Sequence, residues 1–374
     1  MKDATLSLAA GATSQVGLQT NAFLENIIID VNLTTAGNTA TVAFAADSPW
    51  QVISQIKLDD PAGQSIVAPI TGYHLYLLNK YLTDTDCRFD PKADTNYYAT
   101  TGGGGTGGSF GFRLVMPVEH RKRDALGALN NSAANQRYLL TIYIIAAFST
   151  LYSTAPTTEA TTVSIQLYQQ YWTSPPGVIT TSQGSAQVQA TPSGLGSVAF
   201  VRYERHNEVS GGGSPQIQLN NVGDYISGLG FVLRDTAGAR DIYVPPQSAT
   251  NANWPPEFDW WVNDFQVHAL SVYGPTGGVA ATGVGGVWPR MLSRFFGYSA
   301  AYEAANGLDN GVFFLVPLVG LFDRADNFAP ANQYLPTDAT TKLQIRGSTW
   351  GSGASFLEIL TRLIRPVSGT ALFA

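Results

Sequence analysis

Charge is scarce in this chain: Asp, Glu, Lys and Arg make up 13% of its 374 residues. A disordered chain needs the opposite balance, and 44% hydrophobic residues commit this one to burying a core. A surface poor in Lys and Glu suits a protein that covers itself with copies or partners, not a freely diffusing enzyme. Positive charge is the rarer sign, so the net −6 argues against a protein that wraps nucleic acid, which needs surplus cations against phosphate. The single cysteine, Cys87, excludes an intrachain disulfide framework and reads as a small buried apolar residue. His74, His120, His206 and His268 never fall at HxH or HxxxH spacing, so neither a zinc nor a cupin-type metal site is expected, and no cofactor. Long apolar runs are also missing. "YLLTIYIIAAF" (138–148) is too short to span a bilayer and reads as a buried strand. "MKDATLSLAAGATSQ" carries too short an apolar run for a signal peptide, so the expected product is soluble and intracellular when made.

What is present is the texture of many short strands. Glycine and proline are spread throughout, with Thr, Ser, Val and aromatics between them. Strands are expected at 26–35, 40–46, 50–58, 138–146 and 162–172, then at 226–233, 260–273, 311–322, 342–347 and 355–366. Apolar spacing of three and four predicts helices over 72–82 and 287–305, with Pro289 in the first turn of the second. The length exceeds what one core usually fills and suits two.

Internal repetition organises these pieces. "LENIIIDVNL" (24–33) aligns with "YISGLGFVLR" (225–234). "SPWQVISQIKLDDPAG" (48–63) aligns with 258–278, pairing Trp50 with Trp261 and ending both times in a Pro/Gly turn. The helix near Tyr73 matches the one near Trp288, and 112–131 matches 312–332, pairing Pro117 with Pro317. "TVSIQLYQQYW" matches "SFLEILTRLIR". A competing match of "DPAG" (60–63) with "DTAG" (235–238) breaks this order and is set aside. The fold class expected is all-β: two tandem eight-stranded jelly-roll β-sandwiches, each with a short helix insertion. The boundaries read as an N-terminal arm over 1–16, a first jelly roll over 17–175, a linker over 176–197 rich in Pro, Gly, Ser, Thr and Gln, and a second jelly roll over 198–374. The arm has no counterpart in the repeat and is expected to reach towards a membrane or a neighbour.

A strand leading into "MPVEHRKRDALGALNN", followed by "RYLLTIYI", and "WQVISQIKLDDPAGQSIV" leading into "GYHLYLLNKYL", resemble the double jelly-roll major capsid proteins of tailless, membrane-containing DNA bacteriophages of the tectivirus type. The resemblance spans about residues 17–370 and rests on arrangement, not on a strict signature. It implies a homotrimeric, pseudo-hexagonal capsomer that joins neighbouring trimers in an icosahedral shell over an internal membrane. Minor capsid or penton proteins would be further partners, and the chain, made in host cytoplasm, would reside in the virion. The glycine run "TTGGGGTGGSF" (100–110) departs from that pattern. Two rivals remain: a two-domain jelly-roll hydrolase with paired carboxylates, and a carbohydrate- or receptor-binding spike protein.

The densest charge lies at Glu119, His120, Arg121, Lys122, Arg123 and Asp124. Acid–base catalysis by Glu119 or Asp124 with His120 is disfavoured, because adjacent side chains point apart. Phosphate binding by Arg121, Lys122 and Arg123 is weakened by the flanking acids, and no specific nucleic-acid contact is expected. A solvated turn and an inter-subunit loop remain, and the loop is preferred, since rim charges set register between partners. Its counterpart in the repeat adds Arg324 and Asp326. The two glycine runs, 100–110 and 210–215, lack the Lys-Ser or Lys-Thr pair of a phosphate loop and read as flexible surface loops. "DDPAGQ" (59–64) reads as a tight turn with Gly63 at positive φ, not as a calcium loop.

Overall fold

A polar–apolar alternation writes the first strands. In Phe23–Leu33, Ile27, Ile29, Val31 and Leu33 are buried while Asp30 and Asn32, between them, face outwards. A computed structural model describes residues 1–82, 91–93, 95–120, 125–173, 179–182, 184–186, 198–241, 253–255, 257–271, 312–315, 335–347 and 349–365. The chain divides into two units, Met1–Val201 with Ile364–Ala374, and Arg202–Leu363. The predicted helix over 287–305, the repeat partner Pro317 and Cys87 lie outside the described residues. Among those described, no helix is long and apolar enough to cross a membrane.

The first unit holds β1 (Lys2–Ala9), β2 (Thr13–Gly17), β3 (Phe23–Leu33), β4 (Ala43–Phe44), β5 (Ile53–Asp59) and β6 (Ser65–Ile70). A helix, α1 (Gly72–Leu77), follows, and then β7 (Tyr97–Ala99), β8 (Phe110–Pro117), β9 (Leu129–Asn130), β10 (Leu139–Ile144), β11 (Tyr152–Thr154) and β12 (Thr162–Trp172). One sheet runs β1-β12-β3-β8-β7, with β9 on β3, and the other contains the run β2-β10-β5-β6. The ladders β1–β12, β12–β3, β3–β8, β2–β10, β10–β5 and β5–β6 are all antiparallel. β4 and β11 form a short ribbon beside them.

Trp50, fully buried, anchors the core of this unit: Tyr76 stacks on it at 4.5 Å and Phe112 meets it edge-on at 4.5 Å. Tyr76 arrives on α1, which starts at a capping box. The Thr71 hydroxyl accepts from the His74 N–H at 3.1 Å, and the His74 ring nitrogen accepts from the Thr71 N–H. Gly72 opens the helix because any Cβ there would run into the Trp50 carbonyl oxygen. The following turn places Asn79 so that its amide donates to the Val115 carbonyl at 2.6 Å and accepts from the Val115 N–H at 2.9 Å, as a neighbouring strand would.

After a hairpin of β13 (Ile179–Thr181) and β14 (Gly184–Ala186) come β15 (Val198–His206), β16 (Gln216–Leu219), β17 (Tyr225–Asp235), β18 (Glu257–Val262) and β19 (Phe265–Ser271). The chain continues with β20 (Val312–Leu315), β21 (Leu335–Pro336), β22 (Leu343–Gly347) and β23 (Ala354–Arg365). The boundary between the units falls within β15. These strands are ordered β15-β23-β17-β20, with β21 on β17, and β16-β22-β18-β19. Taken in chain order, the eight long strands of each set have the permutation 1-8-3-6 in one sheet and 2-7-4-5 in the other. Even the satellites agree, since β9 pairs the start of β3 as β21 pairs the start of β17. That permutation is a jelly roll, and it occurs twice.

Several expectations change at this level. Residues 1–16 are no free arm: β1 lies along β12 over seven paired positions from Lys2 to Ala9, and the terminal amine donates to the Gln169 carbonyl at 2.8 Å. Their counterparts in the repeat are β15 and β16. The stretch 260–273 is not one strand, because Asn263 and Asp264 take positive φ (48° and 66°) and turn β18 into β19. The turn equivalent to Asp60–Gln64 is therefore Asn263–Asp264, and Trp50 (ahead of β5) has no counterpart in Trp261 (near the end of β18). In the first of these turns Gly63 has the expected positive φ, 85°.

The glycine runs are docked turns, not loose loops. The Gly104 and Gly105 N–H groups donate to the Asn38 carbonyl, Thr35 and Asn38 side chains donate to the Gly107 carbonyl, and a Cβ at Gly103 would lie 2.6 Å from the Thr39 oxygen. Gly211, Gly212 and Gly213 all have positive φ, and the Gly213 carbonyl accepts from the Trp350 N–H at 2.7 Å.

Candidate assembly surface

The charged stretch after β8 begins as a continuation of the sheet. The Glu119 N–H donates to the Glu25 carbonyl at 2.8 Å, one step past the end of the β3–β8 ladder. Its carboxylate turns inwards, is 6% exposed, and accepts the Trp172 indole N–H at 3.0 Å. The His120 N–H closes the loop on the Leu126 carbonyl at 2.6 Å, and Ala125, Leu126 and Ala128 are fully buried beneath it. Ala125 (φ 53°) and Gly127 (φ 92°) make the return bend. The base of the loop is thus pinned to its own unit, and Glu119 belongs to that base, contrary to the expectation that it faces a partner. Arg121, Lys122, Arg123, Asp124, Arg324 and Asp326 lie outside the described residues.

Charge that the sequence reading passed over is buried in the second unit. Arg234 on β17 donates to Glu358 on β23 at 2.7 Å, with their side chains 8% and 9% exposed, and the Tyr203 hydroxyl of β15 donates to the same carboxylate at 2.9 Å. Burial, and then the Glu358 charge, push the Tyr203 phenol well above its ordinary range. The only signal in the sequence is a Glu inside the apolar run "SFLEIL", where a charge needs a partner. At the end of β15, His206 is 4% exposed, with Nε2 at 3.0 Å from Glu204 and Nδ1 at 3.5 Å from Glu208. Glu204 also accepts the backbone N–H groups of Asn220 and Asn221 at 3.0 and 2.9 Å. Burial, the largest single influence on each group, opposes charging it, but the hydrogen bond between them and the Glu204 and Glu208 charges together raise the His206 imidazole, and that bond, the Asn220 and Asn221 N–H donors and the His206 charge together lower the Glu204 carboxyl. These carboxylates hold structure together inside a sandwich. Among the described residues no group of three or more His, Cys, Asp or Glu is placed to hold a metal ion.

No family profile matches the sequence, and no curated protein does. Solved structures do match in fold. PBCV-1 VP54 has a TM-score of 0.56 at 10% identity, covering 99% of this chain and 94% of that one. The MCP of Sulfolobus Turreted Icosahedral Virus, STIV, has 0.53 at 12% identity, over 96% and 95%. The Faustovirus major capsid protein has 0.51 at 8% identity, over 97% and 90%. The fold is the double jelly roll. Coverage near the full length of each chain means that both sandwiches are matched, not one. Those structures are described as a viral MCP, a virus capsid and a major capsid protein.

Proposed function

We propose that the chain is a viral major capsid protein whose homotrimer forms a pseudo-hexagonal capsomer. One observation carries the reading: the strand permutation 1-8-3-6 with 2-7-4-5 occurs twice in a single polypeptide. Three copies then supply six like domains around one axis, and six like walls are what a tile in a closed lattice requires. The low charge fits a molecule that meets many copies of itself.

In this proposal the trimers tile an icosahedral shell over an internal membrane, the feature implied by the likeness of 112–131 and 50–82 to the tectivirus-type proteins. Minor capsid or penton proteins complete the shell, and assembly follows synthesis in host cytoplasm. The junction between jelly rolls is assigned to 176–197. Contacts between subunits are assigned to the tip of the charged loop, Arg121, Lys122, Arg123 and Asp124, and to Arg324 and Asp326. The pinned ends of the stretch, Glu119 and Leu126, support that role, because a segment that leaves and rejoins its unit at fixed points has less to lose in pairing with a partner.

The test is the solution mass and outline of the purified protein. Light scattering is expected to give three times the chain mass of 39.9 kDa, with six-lobed outlines in negative stain. A stable monomer overturns the proposal.

A further inference from the structure

The geometry points to a binding site for a neutral saccharide on the outward face of the β1-β12-β3-β8-β7 sheet, with the Tyr98 ring as its platform. Two neighbouring rungs of that sheet build it. The first runs Tyr98, Gly111, Asn32, Ser164 across four strands, and the second runs Arg113, Asp30, Gln166. Together they line a groove of about 330 Å³, small for a ligand site and of a size for one or two sugar rings.

Each rung contributes a different part of the chemistry. A Cβ at Gly111 would collide with the Tyr98 ring, so the glycine makes room for the phenol ring to pack over the neighbouring strand. The Tyr98 hydroxyl donates to Asn32 Oδ1 at 2.8 Å, which fixes the ring across the rung while 46% of the residue stays exposed. A fixed, solvent-facing π surface beside the polar side chains of Asn32, Ser164, Gln166 and the Arg113–Asp30 pair is the partner for the C–H side of a pyranose. In the second rung Arg113 grips Asp30 through two bonds, at 2.5 and 2.7 Å. The pair is neutral as a unit. Its guanidinium is therefore committed against a phosphate, its carboxylate against an ammonium, and the carboxylate's remaining lone pairs accept hydroxyls. Gln166, whose amide oxygen accepts the Tyr168 hydroxyl at 2.6 Å, is oriented with its NH₂ as a donor. A flat apolar platform ringed by uncharged or internally neutralised donors and acceptors selects a ligand with one apolar face and a rim of hydroxyls. Anions, cations and wholly apolar ligands each lack half of that match.

Saturation-transfer NMR and titration calorimetry on the full-length protein in its native assembly decide it, with methyl α-D-mannopyranoside, methyl β-D-galactopyranoside and N-acetylglucosamine as probes. At least one is expected to bind in the millimolar range. Tyr98→Ala is expected to weaken that probe about tenfold, while Tyr98→Phe, which keeps the ring, stays within about threefold of wild type. Gln166→Leu, on a central strand and away from the platform, is expected to weaken it by a similar factor, and thermal melts establish that each variant folds. Failure of all three probes to bind overturns the site, as does undiminished binding by folded Tyr98→Ala or Gln166→Leu. Neither result bears on whether the protein is a trimer.

Discussion

Replacing Asn79 by Ala removes a side chain that stands in for a strand. β8 pairs with β3 along one edge, and with β7 only from Phe110 to Phe112 along the other. At Val115 the second edge is served by Asn79, which is fully buried and makes one bond to the carbonyl and one from the N–H. Each lost bond costs about 1–1.5 kcal/mol when its partner is left partly desolvated, so the pair predicts about 2–3 kcal/mol. For a unit of this size that corresponds to a fall in Tm of roughly 4–12 °C. Asn79→Asp keeps the shape and one acceptor but sets a carboxylate against the Val115 carbonyl, so it is expected to be worse than Ala. Urea melts followed by tryptophan fluorescence, to which Trp50 contributes with the six other tryptophans, and amide exchange at Val115 read the loss in the first unit. An Asn79→Ala protein within 0.5 kcal/mol of wild type, on the ~1 kcal/mol scale of a single bond, or an Asp variant as stable as wild type, refutes the surrogate-strand argument.

Two further expectations concern pH. Burial pushes the Asp241 carboxyl up from 3.8 to about 6, with the Asn253 hydrogen bond opposing and the Asp235 charge adding. A folded value above the unfolded one means stability is lost as pH rises through it, so Asp241→Asn is expected to stabilise the second unit above pH 7 and to change nothing below pH 4. The ceiling is about 3 kcal/mol, and solvent around a half-buried carboxyl lowers it to about 1–2; identical melting curves for both proteins from pH 4 to 8 would exclude it. His206, held above its ordinary value by Glu204 and Glu208 against the cost of burial, contributes stability that is complete below pH ~6.5 and fades as pH rises through the raised value. Amide exchange at Asn220 and Asn221, which Glu204 holds, is expected to quicken over that range in wild type and to be fast throughout in Glu204→Gln.

The repeat was readable where strands bury one face completely. β3, β12, β17 and β23 carry Ile, Leu and Val at core positions, and the alignment found all four. β1 and β2 were not, because "KDATLSLA" and "TSQVG" lie on sheet edges, where no full apolar face is demanded. The β18–β19 turn was hidden because Asn263 and Asp264 bend the chain without a glycine or proline to mark it. Glu119 misled for a different reason: six charged or titratable residues in a row look solvated, and the Trp172 indole that draws the first of them inside lies 53 positions away. The Tyr98 groove is invisible in sequence altogether, because its rungs draw on segments near 30, 98, 111 and 165 that only the sheet brings side by side.

A framework written twice in one polypeptide need not be ornamented twice in the same way. The hairpin that closes over Asp60, Pro61 and Gly63 in one copy closes over Asn263 and Asp264 in the other, leaving Phe265 standing 77% exposed where the first copy offers Ser65. Each such difference is locked to its opposite number at a ratio of one to one, since both are translated together. Two sets of fittings on a shared chassis thus come from a single gene.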